Sequence, residues 1–118
     1  AWTAHNNKVV LNTRIDNISS ASSAWVVTPV AGTIAKVYSV ISGAITSGDA
    51  TLTAKIATVS VTNGVITVAN SGSAAGTVDS ATPSGANTVT LGQAIEIATD
   101  GGSTNSISAV ITFVITPS

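Results

Sequence analysis

β-branched residues constrain the fold of this sequence more than any other feature. Thr, Val and Ile together occupy 45 of the 118 positions. These side chains lose rotamer freedom in a helix and pack well on the pleated surface of a sheet. The composition therefore predicts an all-β fold with little or no helix.

Alternating side chains predict the individual strands. Between Ala50 and Ile56, small and apolar residues alternate with Thr51, Thr53 and Lys55, which is the period of a half-buried strand. The segment that ends at Thr116 has apolar residues on both of its faces, so we expect it at the centre of a sheet or beneath a partner subunit. Similar patterns predict further strands at residues 8–15, 25–30, 34–41, 88–91, 94–99 and 106–116.

Turn-forming residues separate these strands. Val59 and Val61 precede Asn63-Gly64, and apolar residues follow it. This predicts a hairpin that turns at Asn63-Gly64, because these residues favour the positive φ of a two-residue turn. Residues 73–80 can hold at most about one helical turn.

Together these patterns predict an antiparallel β-sandwich, jelly-roll-like, with about eight strands. Residues 1–7 show no alternation, so we expect an N-terminal arm there and a single sandwich domain over residues 8–118.

Charge is scarce and evenly balanced. Four Lys and Arg face five Asp and Glu, for a net charge of -1, and an average soluble chain carries about three times as many charged residues. No basic field is available for phosphates, so we expect no nucleic-acid partner. No apolar run approaches the roughly 18 residues of a membrane span, so we expect no membrane partner.

Residues that could carry catalysis are few and scattered. The single histidine, His5, lies in the predicted arm, without a rigid frame to orient it. Asp79, Glu96 and Asp100 are the only acidic residues close enough in sequence to suggest a glycosidase pair, but alternation places Glu96 on a polar strand face. We expect no enzymatic activity.

Cofactor and metal sites are not predicted either. Residues 100–105 are rich in oxygen ligands but contain one carboxylate, and their spacing is not that of an EF-hand. This segment is therefore expected to form a tight turn. The chain has no cysteine, which excludes disulfides and thiolate metal sites. Among the aromatic residues, Trp25 and Phe113 are predicted to lie in the core because apolar residues flank them.

The predicted core consists mainly of Val, Ile and Ala, which bury less apolar area per residue than aromatic side chains do. Association would add buried area, and the weakly charged surface is consistent with subunit contacts. We therefore expect much of the exterior to face partners, with the few charges at its rims. Those charges include Arg14, Lys36, Lys55, Asp79 and Glu96.

The segment from Gly72 to Pro83, continued by residues 86–89, 92–97 and 100–104, resembles small virion proteins of tailed bacteriophages. These are the head decoration, or cement, proteins that lie on the capsid exterior. With the preceding strands, the resemblance extends from residue 34 to residue 104.

The resemblance implies a jelly-roll-like sandwich that forms a homodimer or homotrimer and clamps neighbouring subunits of the major capsid protein. It further implies a protein made in the host cytoplasm and located on the virion, with no cofactor and no catalytic residues. The residues that we expect at its interfaces are Trp2, His5, Arg14 and Tyr38. An alternative from another class is a carbohydrate-binding or adhesin-type β-sandwich module.

Overall fold

A computed structural model describes residues 7–118. In this range the chain forms nine β-strands and no helix. The predicted arm, with Trp2 and His5, lies outside the described residues except for Asn7. The strands are β1 (Val9–Ile15), β2 (Ser22–Val27), β3 (Gly32–Ile41), β4 (Ala50–Ile56), β5 (Val59–Val68), β6 (Val78–Ala81), β7 (Thr88–Val89), β8 (Ala94–Thr99) and β9 (Ala109–Pro117).

The strands form two antiparallel sheets that pack together as a β-sandwich. The first sheet has the order β1-β9-β3-β6, and β7 also pairs with β3. The second sheet has the order β2-β8-β4-β5. Strands from the first half of the chain pair with strands from the second half in reverse order. The pairs are β1 with β9, β2 with β8, β3 with β6 and β7, and β4 with β5. This is a long hairpin rolled into two layers, so the predicted jelly-roll-like sandwich is confirmed.

Isoleucine dominates the core. Strand β9 lies between β1 and β3, as predicted for the centre of a sheet, and buries Ile111, Phe113 and Ile115 completely. Phe113 is the one aromatic side chain in the core of the described residues, which confirms its predicted position. The other completely or almost completely buried large side chains are Ile18, Ile34, Val37, Ile41, Ile45, Leu52, Ile66, Ile95 and Ile97.

The predicted hairpin turn at Asn63-Gly64 is wrong. The chain reverses between β4 and β5 at Ala57 and Thr58, whose φ angles are 49° and 68°. Strand β5 continues through Asn63 and Gly64, where residues 61–64 stand opposite the single Ala54 and form a large bulge. The positive φ of 58° at Asn63 therefore belongs to this bulge and not to a reversal of the chain.

This bulge helps to close one side of the sandwich. Asn63 Nδ2 donates to Ser84 Oγ at 2.7 Å, and the Thr62 N–H donates to the Gly85 carbonyl at 2.9 Å. On the opposite side, β1 lies beside β2, where the Thr13 hydroxyl donates to the Trp25 carbonyl at 3.4 Å. Both pairs of sheet edges are therefore partly covered, which protects them from uncontrolled strand pairing. The outer faces of the two sheets remain as broad surfaces.

Residues 73–80 contain no helical turn. They form turns, with a φ of 87° at Gly76, and then enter strand β6 at Val78. This short strand was not predicted. Its residues pair only with those of β3. A strand this short has too few alternating positions to be identified from the sequence.

Candidate docking surfaces

The register of the first sheet brings apolar side chains together on its outer face. Val110 of β9 lies beside Val40 of β3, and Val40 lies beside Val78 of β6. In the neighbouring row Tyr38 of β3 lies between Thr112 and Ser80, with 39% of its surface exposed. Side chains of adjacent strands in such rows lie about 5 Å apart. The row of valines and Tyr38 thus form one continuous apolar strip.

Three basic residues surround this strip. Lys8 precedes β1, and its ammonium donates to the Thr116 hydroxyl on β9. The Lys36 ammonium donates to Thr82 Oγ1 at 2.7 Å and lies 5.8 Å from the centre of the Tyr38 ring. Arg14 is at the far end of β1 and pairs with Asp16, with 3.2 Å between Nε and Oδ1.

Asp79, although part of the first sheet, points away from this face. It stands opposite Ser39, which is almost completely buried. Neither Asp79 Oδ2 nor the Ser39 hydroxyl has a hydrogen-bond partner among the described residues. Partial burial raises the pKa of the Asp79 carboxyl above its ordinary value. The outer face of the first sheet is consequently basic around an apolar centre.

The outer face of the second sheet has a different character, and Trp25 is its most prominent residue. Trp25 is 61% exposed, so its predicted place in the core is wrong. Ala24 and Val26 of the same strand pack against the core instead, which turns Trp25 outwards because successive side chains of a strand alternate. Because Trp25 is flanked by apolar residues on both sides, the sequence did not show whether the odd- or the even-numbered residues of this strand face the core.

Charges on the second face are balanced. Glu96 of β8 lies between Trp25 of β2 and Lys55 of β4 in one row. Glu96 Oε2 accepts a hydrogen bond from the Ser23 hydroxyl at 2.7 Å. Glu96 therefore occupies the outer strand face predicted for it, and the face combines an exposed indole with a hydroxyl, a carboxylate and an ammonium.

The predicted interface residues Arg14 and Tyr38 share the outer face of the first sheet. The other two, Trp2 and His5, lie outside the described residues. Placing the charges at the rims is wrong for Lys36, Lys55 and Glu96, which lie on inner strands of the two sheets. It is also wrong for Asp79, which points inwards. Alternation fixes which residues share a strand face, but the position of a strand within its sheet depends on partners far away in the chain.

The acidic residues considered for glycoside hydrolysis do not converge. Asp79 points inwards from the first sheet, whereas Glu96 points outwards from the second sheet. Asp100 lies in the loop after β8, and its Oδ1 accepts hydrogen bonds from the backbone N–H groups of Thr51 at 3.0 Å and Gly102 at 2.9 Å. Burial alone would raise the pKa of Asp100, but these hydrogen bonds outweigh it and hold the pKa below its ordinary value.

The hydrogen bonds that Asp100 accepts thus hold in place the loop at residues 100–105, where a tight turn was predicted. Within residues 7–118 no three His, Asp or Glu residues cluster as metal ligands would, and no pocket is formed. The same residues contain no helix that could cross a membrane.

No protein-family profile matches the chain, and no curated protein matches its sequence.

Proposed function

We propose that this chain is a structural protein of a phage virion. In this proposal it binds the outside of the capsid and reinforces contacts between major capsid protein subunits. The observation that carries the proposal is the outer face of the first sheet, where exposed valines and Tyr38 form an apolar strip bordered by Lys8, Arg14 and Lys36. Tyr and Arg are enriched at protein interfaces, and an apolar centre within a polar border is their usual anatomy.

We propose the major capsid protein as the partner because the sequence pattern of residues 34–104 resembles that of head decoration proteins. The mechanism is mechanical and needs neither a cofactor nor a catalytic residue. A broad sheet face can bridge two capsid subunits, and repetition of the same contact by the symmetry of the particle multiplies its effect. A homodimer or homotrimer would engage several capsid subunits at once, which increases the avidity further.

Capsid particles that lack this protein test the proposal. They are prepared from the phage that encodes the chain, incubated with purified protein and separated by sedimentation. The wild-type protein should sediment with the particles and raise the temperature at which they release DNA. Tyr38→Ala should weaken binding by about tenfold or more, which corresponds to roughly 1.4 kcal/mol or more.

Trp25→Ala is the matched control, because it removes an exposed aromatic side chain from the opposite face. It should bind capsids as the wild type does. Absence of wild-type binding to the particles would refute the proposed function. Sedimentation of the isolated chain as a monomer at all concentrations would refute the homo-oligomer.

The exposed indole of Trp25 favours a second candidate, a carbohydrate-binding or adhesin-type module. Sugar rings stack on aromatic faces, and Ser23, Glu96 and Lys55 provide donors and acceptors in the adjoining rows. A glycan array probed with the wild-type protein tests this candidate. Binding that is lost in Trp25→Ala and kept in Tyr38→Ala would favour the module over the capsid protein.

A further inference from the structure

The two outer faces of the sandwich differ in charge. Three of the four Lys and Arg residues of the chain lie on or beside the outer face of the first sheet. Among residues 7–118, no acidic side chain points outwards from the strands of that sheet, because Asp79 points inwards. Asp16 lies beyond the end of β1 and pairs with Arg14, so the net positive charge of this face comes from Lys8 and Lys36. The second face carries Lys55 beside Glu96, so its charges cancel.

This asymmetry limits which partner the first face can accept. Two copies packed through it would bring Lys8, Lys36 and their counterparts together without an acidic residue between them, and like charges across an interface oppose association. A second copy of the chain is therefore disfavoured on this face.

Phosphate-rich partners also fit poorly. Strong electrostatic binding of nucleic acid involves about six to ten phosphate contacts, whereas this face has three cations, of which Arg14 is paired with Asp16. Its centre is occupied by Val40, Val78 and Val110. Such a centre can be desolvated by an apolar protein surface but not by a phosphate backbone.

The size of the face is that of a small protein contact. Its four strands β1, β9, β3 and β6 have 7, 9, 10 and 4 residues, so at about 3.3 Å by 4.8 Å per residue they cover roughly 480 Å² in projection. This is about three-fifths of the roughly 800 Å² per partner of a standard interface.

We infer that the outer face of the first sheet docks on an acidic protein surface, with Asp or Glu of the partner opposite Lys8, Arg14 and Lys36 and an apolar patch opposite Tyr38 and the valines. The inference rests on the proposed function, since it gives the chemistry of the capsid surface that this protein would bind.

Charge reversal tests the inference on the same capsid particles. Lys36→Glu is compared with Lys55→Glu. Both residues are half-buried on inner strands, one in each sheet, and both substitutions change the net charge equally. Lys36→Glu should lower the association rate constant by about tenfold at low salt, because charges at the border of an interface steer encounter. Lys55→Glu should leave it unchanged.

Salt provides a second readout. The association rate constant of the wild type should fall as ionic strength rises from about 0.02 to 0.5 M, because the Debye length shortens with salt. The rate constant of Lys36→Glu should depend less on ionic strength. Circular dichroism and thermal unfolding of both variants show whether the fold is retained. Arg14→Glu repeats the test at the far end of the face if Lys36→Glu does not fold.

The possible outcomes separate the inference from the proposed function. If the wild type does not bind the particles, the proposed function fails and the inference fails with it. If the wild type binds but the two Lys variants bind equally well, only the inference is overturned. A DNA duplex and phosphatidylglycerol vesicles serve as further probes, and binding of either that Lys36→Glu abolishes would overturn the inference in favour of a phosphate-binding face.

Discussion

Replacing the two residues that reverse the chain between β4 and β5 should stabilise the domain. Ala57 and Thr58 both have positive φ angles, 49° and 68°. This conformation costs an L-residue with a Cβ roughly 1–2 kcal/mol, and β-branched Thr is poorly suited to it. Both residues are exposed, so their side chains contribute little buried area. Asn and Gly are the residues that such a two-residue turn favours.

The combined variant Ala57→Asn/Thr58→Gly should therefore gain about 1–2 kcal/mol, after allowing for the roughly 0.5–1 kcal/mol that a flexible Gly costs through the unfolded chain. An unfolding entropy of about 2.1 cal/mol/K per residue gives about 0.25 kcal/mol/K for 118 residues. The melting temperature should rise by roughly 4–8 °C.

Differential scanning calorimetry and urea unfolding measure both quantities. Thr67→Gly is the control, since Thr67 is an exposed residue within β5 and Gly there should lower stability by about 1 kcal/mol. If the unfolding midpoint of the combined variant is unchanged or lower than that of the wild type, the assignment of the strained turn to positions 57 and 58 is refuted. Gly64→Ala should also be destabilising, because its Cβ would lie 2.8 Å from the Val61 Cβ.

Three further expectations concern buried and titrating residues, and one concerns the proposed interface. Asp100→Ala should lower stability by about 1 kcal/mol at neutral pH through loss of two hydrogen bonds. This difference should vanish as pH falls through the lowered pKa of Asp100, measured by urea unfolding at several pH values. Asp79→Asn should gain stability relative to the wild type as pH rises, because the wild type loses stability as pH rises through the raised pKa of Asp79. Parallel pH profiles of variant and wild type would contradict this. Phe113→Leu should cost about 1–2 kcal/mol in calorimetry through a cavity at a completely buried position, and an unchanged melting temperature would argue against that burial. Val78→Ser should change stability by less than about 0.5 kcal/mol yet weaken binding to capsid particles, so equal binding would exclude Val78 from the interface.

Local patterns predicted the strands wherever the alternation was long. The segment from Ala50 to Ile56 is strand β4 as predicted, and residues 94–99 form β8. Boundaries were less accurate at residues 25–30, where the strand is Ser22–Val27, and at residues 88–91, where it is Thr88–Val89. These two strands are short: Thr28 lies just beyond the end of β2, and Leu91 belongs to the turn that follows β7.

The candidate surfaces could be predicted only in part. The apolar outer side of β9 was visible in the sequence because Val110 and Val114 lie on the same parity of the strand. Its alignment with Val40 and Val78 was not, because it depends on pairing between β9, β3 and β6, which are distant in sequence. Trp25 was assigned to the core wrongly for a related reason. Both of its neighbours are apolar, and only the packing of the second sheet against the first decides whether Trp25 or its neighbours are buried.

The sequence by itself determined that this chain is an antiparallel β-sandwich. Its β-branched composition disfavours helices, and its alternation divides each long strand into an inner and an outer set of side chains. The tertiary structure decided where the chain reverses, which face exposes Trp25 and how the charges divide between the two outer faces. These features depend on register between strands that are far apart in the chain, such as β1 and β9, and register is set by the simultaneous packing of both sheets rather than by any local pattern.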